Sequence, residues 1–160
     1  MKNLDAPNLN VVLIEPEIPQ NTGSVGRLCL ATGSRLHLVK PLGFSIDAQA
    51  LKRAGLDYWE HLEVIVHENS DAFFDSLPAE APLTLIETRA GPTLYDIRFE
   101  PGQYLVFGKE STGLADWILN RYPARQARIP MMHAKVRSLN LSNAVSITVY
   151  EAIRQISHNT

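Results

Sequence analysis

Asn10-Val11-Val12-Leu13-Ile14-Glu15-Pro16-Glu17-Ile18-Pro19-Gln20-Asn21-Thr22-Gly23-Ser24-Val25-Gly26-Arg27-Leu28-Cys29-Leu30-Ala31-Thr32 holds a strand, a break and a helix in that order. Residues 10–15 are β-rich and stop at Pro16. From residue 21 to 32 the period changes: Val25, Leu28, Cys29 and Thr32 recur at i, i+3, i+4 and i+7, a helical stripe with Arg27 on the opposite side. A strand that feeds a helix is the unit of a parallel sheet.

The same alternation continues along the chain. Residues 36–40, 62–67, 83–87, 103–107 and 126–129 read as further strands, and 71–77 and 115–121 as short helices. The last helix is the clearest: Leu141, Val145, Thr148, Val149, Ala152, Ile153 and Ile156 repeat at helical spacing after a polar start at 138–143. The expected fold class is α/β, a single-domain, mostly parallel sheet flanked by helices, with residues 1–160 in one domain. No repeat, low-complexity tract or linker divides it.

Composition agrees with that reading. The chain has 160 residues, 45% hydrophobic and 20% charged, which suits one globular domain able to bury a full core. One cysteine, Cys29, excludes an internal disulfide, and its place in an apolar stripe reads as a core thiol. His37, His61, His67, His133 and His158 show no zinc-ligand spacing, so no metal is expected. No apolar run nears the roughly 18 residues of a membrane span, and the start of the chain lacks a signal-peptide pattern. The expected location is the cytoplasm.

Net charge is −2, yet the charges are unevenly placed. Residues 57–80 carry seven acids and no Lys or Arg, whereas 121–137 carry Arg121, Arg125, Arg128, Lys135 and Arg137 and no acid. That basic run is either a phosphate-binding patch or a solvated rim. The usual nucleotide and hydrolase motifs are missing: no Gly-x-Gly-x-x-Gly follows the first strand, and there is no P-loop and no Gly-x-Ser-x-Gly elbow.

Three polar clusters lie at element ends, where α/β folds carry their sites. They are Asn21-Thr22-Gly23-Ser24-Val25-Gly26-Arg27, then Gly108-Lys109-Glu110-Ser111-Thr112-Gly113, then Ser138-Leu139-Asn140-Leu141-Ser142-Asn143-Ala144. Each has a plain structural reading as a cap, a turn or a helix start. In this order they resemble the three motifs of the SPOUT superfamily of S-adenosylmethionine-dependent RNA methyltransferases, in its ribose 2′-O-methyltransferase branch. The flanks Glu15–Asn21 and 53–58 resemble the TrmL type of that branch, which methylates the wobble nucleotide of tRNA.

The resemblance, which runs from about Leu9 to Ile156, implies a C-terminal trefoil knot, a homodimer, and tRNA held without a separate RNA-binding domain. It places S-adenosylmethionine against Ile86, Gly108, Ile129 and Ser138. It gives Arg27 the place beside the ribose hydroxyl, as base or as orienter, with Asn21, Glu110, Ser138 and Asn140 completing the catalytic set. The guanidinium stays protonated, which favours the orienting role. The basic residues of 121–137 become the candidate RNA surface. Two other readings stay open beside methylation of cytidine or uridine 34: the same chemistry on another RNA site, and a non-catalytic knotted RNA-binding protein.

Overall fold

A computed structural model describes residues 8–54, 56–89 and 91–158, the side chain of His158 excepted. The start of the chain, read above as lacking a leader, lies outside the described residues over 1–7, as does Gly55 of the 53–58 stretch. The chain runs β1 (Asn10–Ile14), α1 (Pro19–Thr32), β2 (Arg35–Val39), α2 (Ala48–Arg53), a 3-10 turn (Asp57–His61) and β3 (Val64–His67). It continues through α3 (Ser70–Ser76), β4 (Leu83–Ile86), β5 (Tyr104–Phe107), α4 (Asp116–Arg121), β6 (Gln126–Ala127) and α5 (Leu141–His158).

Alternation along β1 sends its side chains to two layers. Val11 and Leu13 join Leu36, Leu38, Leu105 and Phe107 under Val25 and Cys29 of α1 and Val145, Val149 and Ala152 of α5. Val12 and Ile14 join Val39, Leu85 and Val106 under Phe73 and Phe74 of α3 and Ile118 of α4. Both faces of the sheet are therefore covered, as a parallel sheet requires. Each fully buried Leu, Val or Phe contributes about 1.5–3 kcal/mol.

The strands stand in the order β3-β2-β1-β5-β4-β6, every pair parallel. The α/β class and the parallel sheet are those expected from the sequence. From β1 the chain moves through α1 to β2, and from β5 through α4 to β6 on the other side. The carboxyl ends of β1 and β5 thus flank a topological switch point, where open α/β sheets bind ligands.

Three differences from the sequence reading have physical causes. α1 begins at Pro19, two residues early, because proline is well placed at a first helical position, where no N–H is needed. β6 ends at Ala127 rather than 129, because Arg128 leaves β4 and bridges to Thr93. α2 and the 3-10 turn were not expected at all; they are only 6 and 5 residues long and bury none of their side chains fully.

Candidate active site

The β1–α1 connection and the loop after β5 are clamped together by two carboxylates. The N-cap of α1, Ile18, has no side chain able to cap. Glu110 supplies the missing acceptor from the other loop: its Oε2 accepts from Glu17 N (2.8 Å) and its Oε1 from Ile18 N (3.0 Å). A carboxylate there also meets the positive end of the helix. Glu17 returns the contact, its Oε2 accepting from Ser111 N (3.0 Å) and its Oε1 from Ser111 Oγ (2.8 Å). Lys109 Nζ adds a 3.4 Å ion pair to Glu15.

Asn21 and Asn140 extend this clamp to the last helix. Asn21 Nδ2 donates to Glu110 Oε1 (3.3 Å), and Asn140 Nδ2 donates to Asn21 Oδ1 (3.0 Å). Asn140 Oδ1 meanwhile caps α5, accepting from Ser142 N at 3.0 Å and Ser142 Oγ at 2.6 Å. One chain of hydrogen bonds thus joins all three motifs. Partial burial of Glu110 would raise its carboxyl. The N–H groups of Glu17, Glu110 itself and Ile18, with the Asn21 amide, outweigh that and hold it below the ordinary carboxylate range. Glu110 is an anion at neutral pH, and its partners are α1 and Asn21 rather than Arg27.

The loop after β5 is set by two glycines. Gly113 sits at φ +71°, and a Cβ on Gly108 would lie 2.1 Å from the Gly113 carbonyl carbon. Only hydrogen at Gly108 lets these backbones touch. Parallel register then lines up the candidate donor residues: Ile86 pairs with Phe107, which precedes Gly108, and with Ala127, two residues before Ile129. Ile86, Gly108 and Ile129 are each half-buried at the carboxyl ends of adjacent strands, and Ser138 is exposed ahead of α5.

Arg27 projects from α1, exposed, with its guanidinium 5.7 Å from the centre of the Tyr58 ring. Tyr58 in turn donates to the carbonyl of Gly23, which fixes the ring against α1. Arg27 lines a cleft of about 790 Å³ between α1 and the 44–59 segment, whose lining does not include Glu110. The basic residues of 121–137 differ in what they touch. Arg121 pairs with Asp75 at 3.1 Å and packs over Phe74 and Tyr122, and Arg128 Nε donates to Gly91 O at 3.2 Å. Arg125, Lys135 and Arg137 are exposed.

Glu17 and Tyr58 were missed as site residues by the sequence reading. Glu17 stood in plain view in the Pro16-Glu17 flank, but its partner is a backbone group 94 residues away. Cys29 is buried and its thiol is pushed up to about 12, so it is inert packing. Among the described residues no group of three His, Cys, Asp or Glu could hold a metal ion, and no helix is long and apolar enough to cross a membrane.

Comparison with known proteins bears directly on these motifs. A tRNA (cytidine(34)-2′-O)-methyltransferase from a Polaromonas species is 51% identical over 148 residues, covering 91% of this chain and 90% of that protein. The protein of the same name from Escherichia coli is 49% identical over 153 residues, covering 94% and 95%. A solved structure concerned with 2-OH methylation of C/U34 on tRNA superposes with a TM-score of 0.88 at 46% identity, covering 95% of this chain and 99% of that one. An AdoMet-bound rRNA methyltransferase from Sinorhizobium meliloti shares the fold, with a TM-score of 0.80 at 24% identity, covering 94% of this chain and 57% of that one. The profile of the SpoU rRNA Methylase family matches residues 8–150, so the hydrogen-bonded motifs described here are those of a family member: the chain belongs to the SpoU methylase family.

Proposed function

We propose that this chain transfers a methyl group from S-adenosylmethionine to the ribose 2′-oxygen of the wobble nucleotide, cytidine or uridine 34, of tRNA. The observation that carries the reading is identity at about half of all positions, over nine-tenths of the chain, with proteins named for that activity. The unbroken hydrogen-bond chain through Glu110, Asn21 and Asn140 supports it.

The strand ends fit the donor. Ile86 and Ile129 offer half-buried apolar faces, and the loop that packs its Gly113 backbone on Gly108 lies beside them, an apolar and backbone-built setting that suits an uncharged adenine. When bound, the donor supplies a methyl group already activated by its sulfonium. The protein's task is then to orient the ribose hydroxyl. Arg27 remains cationic and positions the nucleotide through its phosphate; Asn21 and Asn140 hold the starts of α1 and α5 in register; Glu110 anchors the loop that carries Gly108. Ser138 shapes the site from the approach to α5.

The protein acts in the cytoplasm as a homodimer of a trefoil-knotted domain whose own surface holds the RNA. Exposed Leu30, Ile147 and Tyr150 on the neighbouring helices α1 and α5 support a self-association surface. Arg128 runs alongside the 92–94 stretch in a parallel bridge, donating to Pro92 O and accepting from Leu94 N, a pairing compatible with a knotted C-terminal segment. Arg125, Lys135 and Arg137 are the open phosphate contacts on this reading.

The test is transfer of labelled methyl to total tRNA from a strain lacking the activity, followed by mapping of the modified nucleotide. A 2′-O-methyl at position 34 is expected. Label in ribosomal RNA only, or at another tRNA position, overturns the assignment. Arg27→Ala is expected to abolish turnover while RNA affinity stays within several-fold.

A further inference from the structure

The cleft beside Arg27 is not explained by the donor site. Its walls are α1 and the 44–59 segment, which joins β2 to β3, whereas Ile86, Gly108 and Ile129 stand at β4, β5 and β6. β2 and β4 are three strand spacings apart, about 14 Å. The two places lie on opposite sides of β1 within one chain, so on the homodimer reading above a ribose held by Arg27 of one protomer faces the donor held by its partner.

The chemistry of the cleft is distinctive. Its lining includes Arg27 and Arg53 and no Asp or Glu, in a protein of net charge −2. The nearby Asp47 carboxylate is occupied as the cap of α2, accepting from Ala50 N at 2.8 Å and Ser45 Oγ at 2.5 Å. Three aromatic residues line it as well, Phe44, Tyr58 and Trp59, the last of them packed against the core. Phe44 is half-buried yet joins neither core cluster. Thr22, also in the lining, is 1% exposed, and its hydroxyl has no hydrogen-bond partner among the described residues. A volume of about 790 Å³ is ample for a nucleotide.

Arginines with aromatic faces and no carboxylate are what an unstacked nucleotide of single-stranded RNA requires: cations for its phosphate and flat surfaces for its base. Resting on the methyl-transfer reading above, we propose that this cleft binds an unpaired nucleotide neighbouring the one methylated. Its base stacks on Phe44, and its phosphate lies between Arg27 and Arg53. The site thereby reads the splayed state of the loop, which only unpaired RNA can offer.

Steady-state methylation of an anticodon stem-loop RNA tests this. Phe44→Ala and Arg53→Gln are each expected to raise KM for the RNA about tenfold, the size of one lost stack or charge contact, with kcat within twofold and donor affinity unchanged. Ala54→Glu, at an exposed lining position, brings a carboxylate to the cleft and is expected to raise KM without touching the core. Photo-crosslinking of loop RNA carrying 4-thiouridine is expected to label the 44–58 segment. If the unsubstituted protein leaves position 34 unmethylated, the activity proposed above falls. If it methylates that position but all three variants keep the parental KM and the segment stays unlabelled, the cleft assignment alone falls.

Discussion

At Gly26 a single methyl group decides whether α1 and the 3-10 turn fit together. A Cβ there would lie 2.8 Å from Trp59 Cζ3 and 3.1 Å from Leu62 Cδ2, inside van der Waals contact. Gly26→Ala is expected to lower stability by about 1–3 kcal/mol, read as an earlier urea midpoint at unchanged slope. Gly108→Ala meets backbone at 2.1 Å instead of a ring, so the loop itself must move; loss of donor binding is expected in calorimetry. Asn140→Ala removes the α5 cap, about 1 kcal/mol, and leaves Asn21 Oδ1 without its donor. Its activity is expected to fall further than that stability loss accounts for. Asn21, Glu110 and Asn140 were singled out by the resemblance of three clusters taken in order, since each cluster alone reads as a cap, a turn or a helix start. Glu17 was not, because nothing in a local pattern reveals a distant backbone partner.

Strands were legible where β-rich runs meet turn residues, and α5 where seven positions, six of them apolar, keep one period. α2 and the 3-10 turn were invisible for the opposite reason: they hold one wall of the Arg27 cleft while leaving most of their surface to solvent. Strand β2 carries a polar feature with a measurable signature. His37 lies between Asn10 Oδ1 and His67 Nε2, both at 3.0 Å. Asn10 uses its amide nitrogen on Gly102 O, so its oxygen accepts from His37 Nε2; His37 Nδ1 then accepts from His67. Burial first, then the neighbouring His67 and Arg35, lower the His37 pKa from 6.5 to about 4. The unfolded chain therefore binds the extra proton between pH 6.5 and about 4. Stability contributed by neutral His37 is full above pH 6.5 and declines as pH falls through that window, by at most about 3 kcal/mol. Burial lowers His67 as well, in the same sense. Urea midpoints measured from pH 7.5 to 4 are expected to show this fall, and His37→Gln to flatten it.

At the scale of the molecule, the α/β class followed from alternation, but the strand order did not. β5 lies between β1 and β4 through pairings more than 90 residues apart for β1, which no local period encodes. Charge behaves likewise: the basic run of 121–137 looked continuous, yet Arg121 and Arg128 are occupied by Asp75 and Gly91. Arg125, Lys135 and Arg137, with Arg27 and Arg53 across the surface, make five open cations. On that count log affinity for tRNA is expected to fall with log salt at a slope of roughly −3 to −4, and a slope near zero in a filter-binding titration would remove them from the interface.

The carboxylate of Glu110 that closes the first turn of α1 reaches it across 92 positions of chain. During synthesis, a nascent chain that has released β1, β2 and β3 still lacks both the strand that flanks β1 and the acceptor for Glu17 N and Ile18 N. Contacts of such long sequence separation form late and slowly. The first two motifs are thus joined only after Glu110 has left the ribosome, and the third only after Asn140 has. A chain that stops before Asn140 lacks the Asn21–Asn140 link while every partner in the pairing of β1, β2 and β3 is present.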